Sequence, residues 1–389
     1  VCLDDPAGAD PALARWLAGQ PTSPPRVDAQ PTDLVAIPTT GGTTGAPRAV
    51  ALSNRNLVAL VRGVAALGDP APIALAAAPM THVGGRLMLS TLYRGGTSVI
   101  LPAAAPGAIL AAIAAHRITE LFLPPTAIYA LLDHPALATT DTRSLRHVLY
   151  GSAPIALDKL KRAIAAFGPV LHGAFGLTEA PVLVAQLPPA EHFVDGALAP
   201  DARLRSVGRP TAGARVAILD DAGAPLPAGA VGEIAVAGAF VCEGYFDDPA
   251  ATAAARRGPW HLTGDVGYLD ADGYLYLSDR KKDVIITGGL NVYSVEVEQV
   301  VAAQAGVADC AVIGVPDPRW GEAVTAVIEP ARGATVIAAD VIAACRARLG
   351  AVKAPKTVVI VDALPRTAAG KVDKRAMRAP YWAATGRRI

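Results

Sequence analysis

Residues 260–296 constrain the chain more than any other stretch. They begin with Thr263-Gly264-Asp265, where a small turn is expected to present one carboxylate. The period-2 residues Tyr268 and Asp270 follow, then Asp272-Gly273, then the alternating run Tyr274-Leu275-Tyr276-Leu277. Alternation on both sides of Asp-Gly predicts a hairpin, because the turns Asp-Gly favours match the twist of the flanking strands. Next come Arg280-Lys281-Lys282-Asp283, read as a solvated charge cluster, the apolar run Val284-Ile285-Ile286 and the pair Gly288-Gly289. A carboxylate, a hairpin, a polar joint and a glycine loop in one stretch predict a domain junction with a site in it.

The rest of the chain bounds what that site can serve. At 389 residues with 52% apolar and 18% charged side chains, it has material for two or three packed domains and no signature of disorder. A formal net charge of +1 without a basic block argues against nucleic acid or an anionic membrane as main partner. No run reaches the roughly 18 consecutive apolar residues of a membrane span. Cys2, Cys242, Cys310 and Cys345 are scattered, which indicates neither a metal site nor a disulfide framework and fits a reducing cytoplasm. The chain opens on Val1, and Asp10-Pro11 followed by Leu13, Trp16 and Leu17 reads as a helix start inside the tail of a domain.

After a Pro-rich connector over residues 19–32, a short buried strand is expected at residues 34–37. It runs into Thr39-Thr40-Gly41-Gly42-Thr43-Thr44-Gly45-Ala46-Pro47-Arg48, whose glycines and hydroxyls can wrap donors around phosphate oxygens. No Gly-Lys-Ser/Thr ends it, so it is not a Walker loop. Residues 77–85 contain a lone His82. Helix-like and strand-like runs then alternate at residues 111–115, 121–123 and 148–150, the pattern of an α/β sheet. Gly151-Ser152-Ala153-Pro154 ends one strand; the stripe Leu157, Leu160, Ile164, Phe167 predicts a helix; the next strand ends in Ala174-Phe175-Gly176-Leu177-Thr178-Glu179. Ligands of such sheets sit beyond the carboxyl ends of the strands, so both loops point to one crevice. From Val207 the texture changes to short strands and turns, a small β sub-domain. Beyond Lys282, Ser294 is expected to cap a helix over residues 295–304, and Gly350 to close one with the face Val341, Ile342, Cys345, Leu349.

These motifs, in this order, resemble the adenylate-forming superfamily of acyl- and aryl-CoA synthetases, over about residues 33–378. The resemblance implies an α/β fold. Its large N-terminal AMP-binding domain, residues 1–281, would combine α/β sheet layers with the small β sub-domain. A small mobile α/β C-terminal domain, residues 283–389, would turn about a hinge at Lys282. A leading sub-domain that most relatives carry is not expected in these residues, and the resemblance implies either a naturally short member or, as favoured here, a sequence that begins inside a longer protein. Thr40, Gly42, Thr43, Thr44, Gly45 and Arg48 would hold the outer phosphates of ATP. Gly151, Ser152, Ala153, Ala174, Phe175 and Gly176 would flank adenine, with Thr178 on phosphate and Glu179 on Mg2+. Asp265 and Arg280 would bind ribose, Gly288 and Gly289 would line the channel for the CoA arm, His82 would line the acyl channel, and Lys371 would be the catalytic lysine. Gly41, Arg48, Ala174, Glu243 and Ala369 depart from the usual pattern, which has Ser, Lys, Gly, Arg and a hydroxyl residue there.

The implied activity is an ATP-dependent acid–thiol ligase: a fatty or aryl acid is adenylated with release of pyrophosphate, and the acyl group passes to CoA. No Asp stands between Pro79 and Gly85 to pair with a substrate ammonium, which favours an uncharged acyl group. An acyl-AMP ligase loading a separate carrier protein, a non-catalytic acyl or nucleotide sensor, and a luciferase-like oxidase are the alternatives. A homodimer stays open.

Overall fold

The computed structural model describes residues 18–23, 27–40, 48–66, 68–78, 80, 83–181, 184–367 and 372–383. Its largest layer is a seven-stranded sheet. The spatial order is Arg209–Pro210, Ala185–Leu187, Leu171–Phe175, His147–Gly151, Glu120–Leu123, Ile73–Ala76, Thr97–Ile100. From Leu171–Phe175 onward the neighbours are parallel, and helices Val83–Tyr93, Pro106–His116, Pro125–Leu132 and Leu157–Phe167 make the crossovers. The helices form where the apolar period says they should. Leu157–Phe167 buries Leu160, Ala163, Ile164 and Phe167 on one stripe, and Gly168 ends it at φ +82°. Ile109, Ile113, Ile128, Leu160 and Leu171, each 1% exposed or less, anchor the core beneath this sheet.

The β sub-domain is a second sheet in which Arg215–Leu219, Gly232–Ala237 and Trp260–Leu269 pair in turn and Leu275–Arg280 completes the expected hairpin. Gly273 takes φ +80° at its turn, and the Asp270 carboxylate accepts from the backbone N–H groups of Asp272 and Tyr274. Across the strands Tyr268 and Tyr276 stack at 4.7 Å. The sub-domain joins the larger sheet through one apolar cluster that contains Phe175 and Val184 on one side and Ile234, Val236 and Leu275 on the other.

From Ile285 the chain builds a third sheet, ordered Leu290–Val292, Ile285–Thr287, Gly321–Pro330, Val307–Asp317, with Thr357–Ile360 parallel to Gly321–Pro330. Helices Ser294–Ala302 and Ala338–Lys353 close over its own core of Val297, Val301, Val324, Ile328 and Cys345. Gly350 leaves the helical region at φ +83°, where the end of the Val341–Cys345 face was expected. The architecture is thus the α/β one expected: large sheet layers, a β sub-domain and a small α/β C-terminal portion. Among the described residues no helix is long and apolar enough to cross a membrane.

Four local expectations are corrected. The strand Leu34–Ala36 exists but is exposed, because it is the outer strand of a three-stranded sheet and pairs only with the buried Val50–Ser53. Thr263-Gly264-Asp265 is not a turn; it lies inside the continuous strand Trp260–Leu269, with Gly264 at φ +73° and the register shifting beside it. Such a bulge re-aims a side chain without ending the strand. The cluster 280–283 is not simply solvated: Lys281 bonds Asp221 and Glu233, and Asp283 pairs with Arg378. Ser294 does not cap its helix through its side chain, as the next subsections show.

Candidate active site

The residues expected to flank adenine stand at the ends of two neighbouring strands of the large sheet. His147–Gly151 and Leu171–Phe175 run parallel with Gly151 opposite Ala174, so their loops emerge side by side. A Cβ at Gly151 would lie 2.4 Å from the Ala174 carbonyl oxygen, which explains glycine at that position. Ser152 sits at φ +69°, an uncommon conformation for a residue with a Cβ and one that concentrates at functional sites. Ser152, Ala153 and Gly176 are exposed, Ala174 and Thr178 half-buried, and Phe175 is 7% exposed within the shared apolar cluster.

Glu179 lies just beyond, held from two sides. Its carbonyl accepts from the Cys242 N–H at 2.7 Å, and its Oε1 accepts from the Tyr245 hydroxyl at 2.9 Å. The guanidinium of Arg48 stacks over the Tyr245 ring at 5.1 Å. Burial pushes the Tyr245 hydroxyl up to about 12, with the Glu179 charge adding to it, so it donates throughout the working range. Arg86, on helix Val83–Tyr93, also feels the Glu179 charge; burial lowers its pKa and Glu179 opposes that. Sequence reasoning missed Arg86, which no motif singles out. Tyr245 stands two residues after Glu243, the position that departs from the usual Arg. Glu243 itself pairs with Arg55 at 2.6 Å and accepts from the Ser53 hydroxyl, so the acidic departure at this position is a structural tie.

Thr40 and Arg48 stand at the two feet of the glycine–threonine loop. The Thr40 N–H donates to the Arg48 carbonyl at 2.9 Å and the Arg48 N–H to Thr40 Oγ1 at 3.2 Å. Gly42, Thr43, Thr44 and Gly45, like His82 and Lys371, lie outside the described residues.

Asp265 and Arg280 are cross-strand partners in the hairpin, and Arg280 Nε meets Asp265 Oδ1 at 2.5 Å. Thr263 fixes the bulge by donating its hydroxyl to the Ile234 carbonyl and accepting from the Asp265 N–H. Asp265 is 6% exposed, while the Arg280 side chain is half out in solvent at 54%. Gly288 and Gly289 form the two-residue turn between Ile285–Thr287 and Leu290–Val292, with φ +58° and +77°. The Gly288 N–H donates to the Trp320 carbonyl at 2.7 Å. Burial lowers the Lys282 amine, and the Lys282 carbonyl accepts from Arg378 Nη1 at 3.0 Å. Glu296 and Glu298, on helix Ser294–Ala302, form ion pairs with Lys353 and Lys374.

Under helix Val83–Tyr93 lies a cavity of about 40 Å³, lined chiefly by Leu75, Ala76, Leu87, Met88, Phe122 and Leu149. Arg94 and Glu120 also border it, paired to each other at 2.5 and 2.7 Å and therefore already satisfied. No group of three or more His, Cys, Asp or Glu poised for a metal occurs among the described residues. The carboxylate of Glu179 nevertheless suits Mg2+, which takes one or two protein carboxylates and completes its shell with phosphate oxygens and water.

Comparison with known proteins agrees with this geometry. The AMP-binding enzyme family matches residues 2–246, and the AMP-binding enzyme C-terminal domain matches residues 296–371. The medium/long-chain-fatty-acid–CoA ligase FadD8 of Mycobacterium tuberculosis is 40% identical over 95% of this chain, and the chain spans 65% of that ligase's length. The amide bond synthetase McbA from Marinactinospora thermotolerans superposes with a TM-score of 0.82 at 39% identity, over 89% of this chain and 69% of its own. ATP-bound MatB from Rhodopseudomonas palustris superposes at 0.85, with 34% identity over 94% of this chain and 71% of its own. Apo MatB, over the same 94% of this chain and 72% of its own, reaches only 0.71, so the structure is nearer in shape to the ATP-bound form.

Proposed function

The chain belongs to the family of AMP-binding enzymes, and from that premise we propose that it is an ATP-dependent acid–thiol ligase. It joins a carboxylic acid to AMP with release of pyrophosphate and then passes the acyl group to CoA. The observation that carries this reading is the Asp265–Arg280 pair, presented by a bulged hairpin on a sub-domain whose core is shared with Phe175. A carboxylate beside a guanidinium on that rim suits the two hydroxyls of a ribose whose base lies toward Ser152 and Phe175.

The chemistry brings an anionic carboxylate up to a polyanionic triphosphate, so the barrier is largely electrostatic and the chain must supply charge and in-line geometry. Arg48, at the foot of the glycine–threonine loop, is our candidate for the outer phosphates. Mg2+ on Glu179 would neutralise phosphate charge. Lys371 would approach the α-phosphate and the acid, and His82 would line the acyl channel. The lack of an Asp between Pro79 and Gly85 supports an uncharged acyl tail, fatty or aryl.

Thioester formation needs the acyl carbon opened to a thiol where Lys371 would stand. We infer that the C-terminal portion, residues 283–389, turns about Lys282 relative to residues 1–281 and brings the Gly288-Gly289 turn to the CoA arm. Similarity to ATP-bound MatB supports reading the present arrangement as the adenylate-forming one. Free thiols at Cys242, Cys310 and Cys345 suit a cytoplasmic setting.

Lys371→Ala should abolish pyrophosphate release with ATP and acid yet largely spare thioester formation from supplied acyl-adenylate; parallel loss of both would sink the two-step assignment. The likeness to an amide bond synthetase favours one second reading, in which the acceptor is not CoA. AMP release that ignores CoA but responds to a phosphopantetheinylated carrier would select it.

A further inference from the structure

The hinge region contains a polar network that its expected role does not use. Asp279, 5% exposed, is the residue before Arg280 on the hairpin strand. Its Oδ2 accepts from the Ser294 N–H at the start of helix Ser294–Ala302, and its Oδ1 accepts from the Arg280 N–H at 2.8 Å. The helix start is therefore capped by a carboxylate from across the proposed hinge, where its unpaired N–H groups and dipole favour negative charge. Lys374, the first residue of helix Lys374–Trp382, donates to Ser294 Oγ at 2.5 Å and pairs with Glu298 at 2.7 Å. The carboxylates of Asp279 and Asp283 also face it. One turn further along that helix, Arg378 reaches the Lys282 carbonyl at 3.0 Å and Asp283 Oδ1 at 3.3 Å.

We propose that Asp279 and Arg378 are positioning residues that latch the hinge in the arrangement seen here, and so favour adenylation over thioester formation. The inference rests on the ligase reading and on Lys282 as the pivot. Asp279 is on the hairpin side of that pivot; Ser294, Glu298, Lys374 and Arg378 are on the other. A turn about Lys282 must pull Asp279 off the helix start and reorient the carbonyl that Arg378 holds. Helix Lys374–Trp382, the element that grips the hinge, begins three residues after Lys371 in the sequence. Breaking a largely buried, charge-assisted set of bonds costs more than breaking an exposed one, which gives the latch its bias.

Two variants test it in the full chain. Asp279→Asn keeps an acceptor for the Ser294 N–H and removes the charge facing Lys374. Arg378→Lys keeps the charge and removes the fork that holds the Lys282 carbonyl. Each is assayed for pyrophosphate release with ATP and the best-used acid, and separately for AMP release when CoA is added to that acid's adenylate. The first rate should fall about tenfold in both variants while the second holds or rises. Equal losses in both half-reactions, the signature of a merely structural role, overturn the latch, and so does no change in either. Hydrogen exchange at the amides of Ser294–Ala302 needs no turnover and should quicken about tenfold in Asp279→Asn. Unchanged exchange overturns the latch whatever the rates; quickened exchange in a protein that never releases pyrophosphate upholds the latch and sinks the ligase reading.

Discussion

Tyr245 sets the orientation of Glu179, since its hydroxyl donates to Oε1 at 2.9 Å while its ring lies under Arg48. Tyr245→Phe removes the donor and leaves the ring, so the Arg48 contact survives and the carboxylate loses one restraint. A hydrogen bond to a charged group is worth about 1.5–3 kcal/mol, so pyrophosphate release should fall roughly tenfold, with a higher Mg2+ requirement and little change in melting temperature. Titrating Mg2+ against rate checks this; an unchanged requirement would remove Glu179 as the ion's holder. At this scale the sequence was readable for the hairpin on which the structure pairs Asp265 with Arg280, the two residues proposed for ribose. It was unreadable for Arg86, because a basic residue on a helix looks solvated until the fold turns it toward a carboxylate.

Elements were legible where the signal is local. Asp272-Gly273 between alternating runs became the hairpin, and the Leu157–Phe167 stripe became a helix ended by Gly168. They were misread where the deciding partner is distant in sequence. The start of helix Ser294–Ala302 is satisfied by Asp279 from the preceding sheet rather than by its own serine, which no local capping rule can see. The bulge at Gly264 escaped notice because Thr-Gly-Asp reads as a turn until the strand is seen to continue through it. The two strand ends beneath the proposed nucleotide site give a test at this scale. Gly151→Ala would set a Cβ 2.4 Å from a backbone carbonyl of the neighbouring parallel strand, which cannot step aside like a flexible side chain. The strands must splay, at about 1–3 kcal/mol, and the melting temperature should drop by several degrees with ATP binding weakened. A variant that melts and binds ATP like the parent would show that the two loops are not held this closely.

In the whole molecule, separate apolar cores lie under the parallel sheet and in the C-terminal portion, while the site-bearing cluster ties the larger sheet to the β sub-domain. That plan was visible in the change from α/β alternation to short strands and back, whereas the contacts across the proposed hinge were not. The larger portion also buries several histidines in neutral form, and they set how the protein responds to acid. Burial holds His172 and His261 down at about 4, against an ordinary 6.5; Gln186 opposes this at His172 and Arg256 reinforces it at His261. Burial lowers His192 as well. Between pH 6.5 and 4 the unfolded chain therefore binds more protons at these sites, and stability must fall as the pH falls through that window. Asp279 acts in the opposite sense, because burial raises it from 3.8 to about 6 and the folded state takes up its proton first. Two histidines each contributing about 2 kcal/mol at pH 5 outweigh one aspartate contributing about 1 kcal/mol, and His192 adds to the histidine side. Urea midpoints should thus correspond to a net loss of about 2 kcal/mol or more between pH 7 and pH 5. Replacing His261 with Gln should remove a large share of that slope while lowering stability at pH 7 far less. A midpoint that does not move between the two pH values, or a slope that survives in His261→Gln, would mean that these imidazoles are not held neutral by their burial.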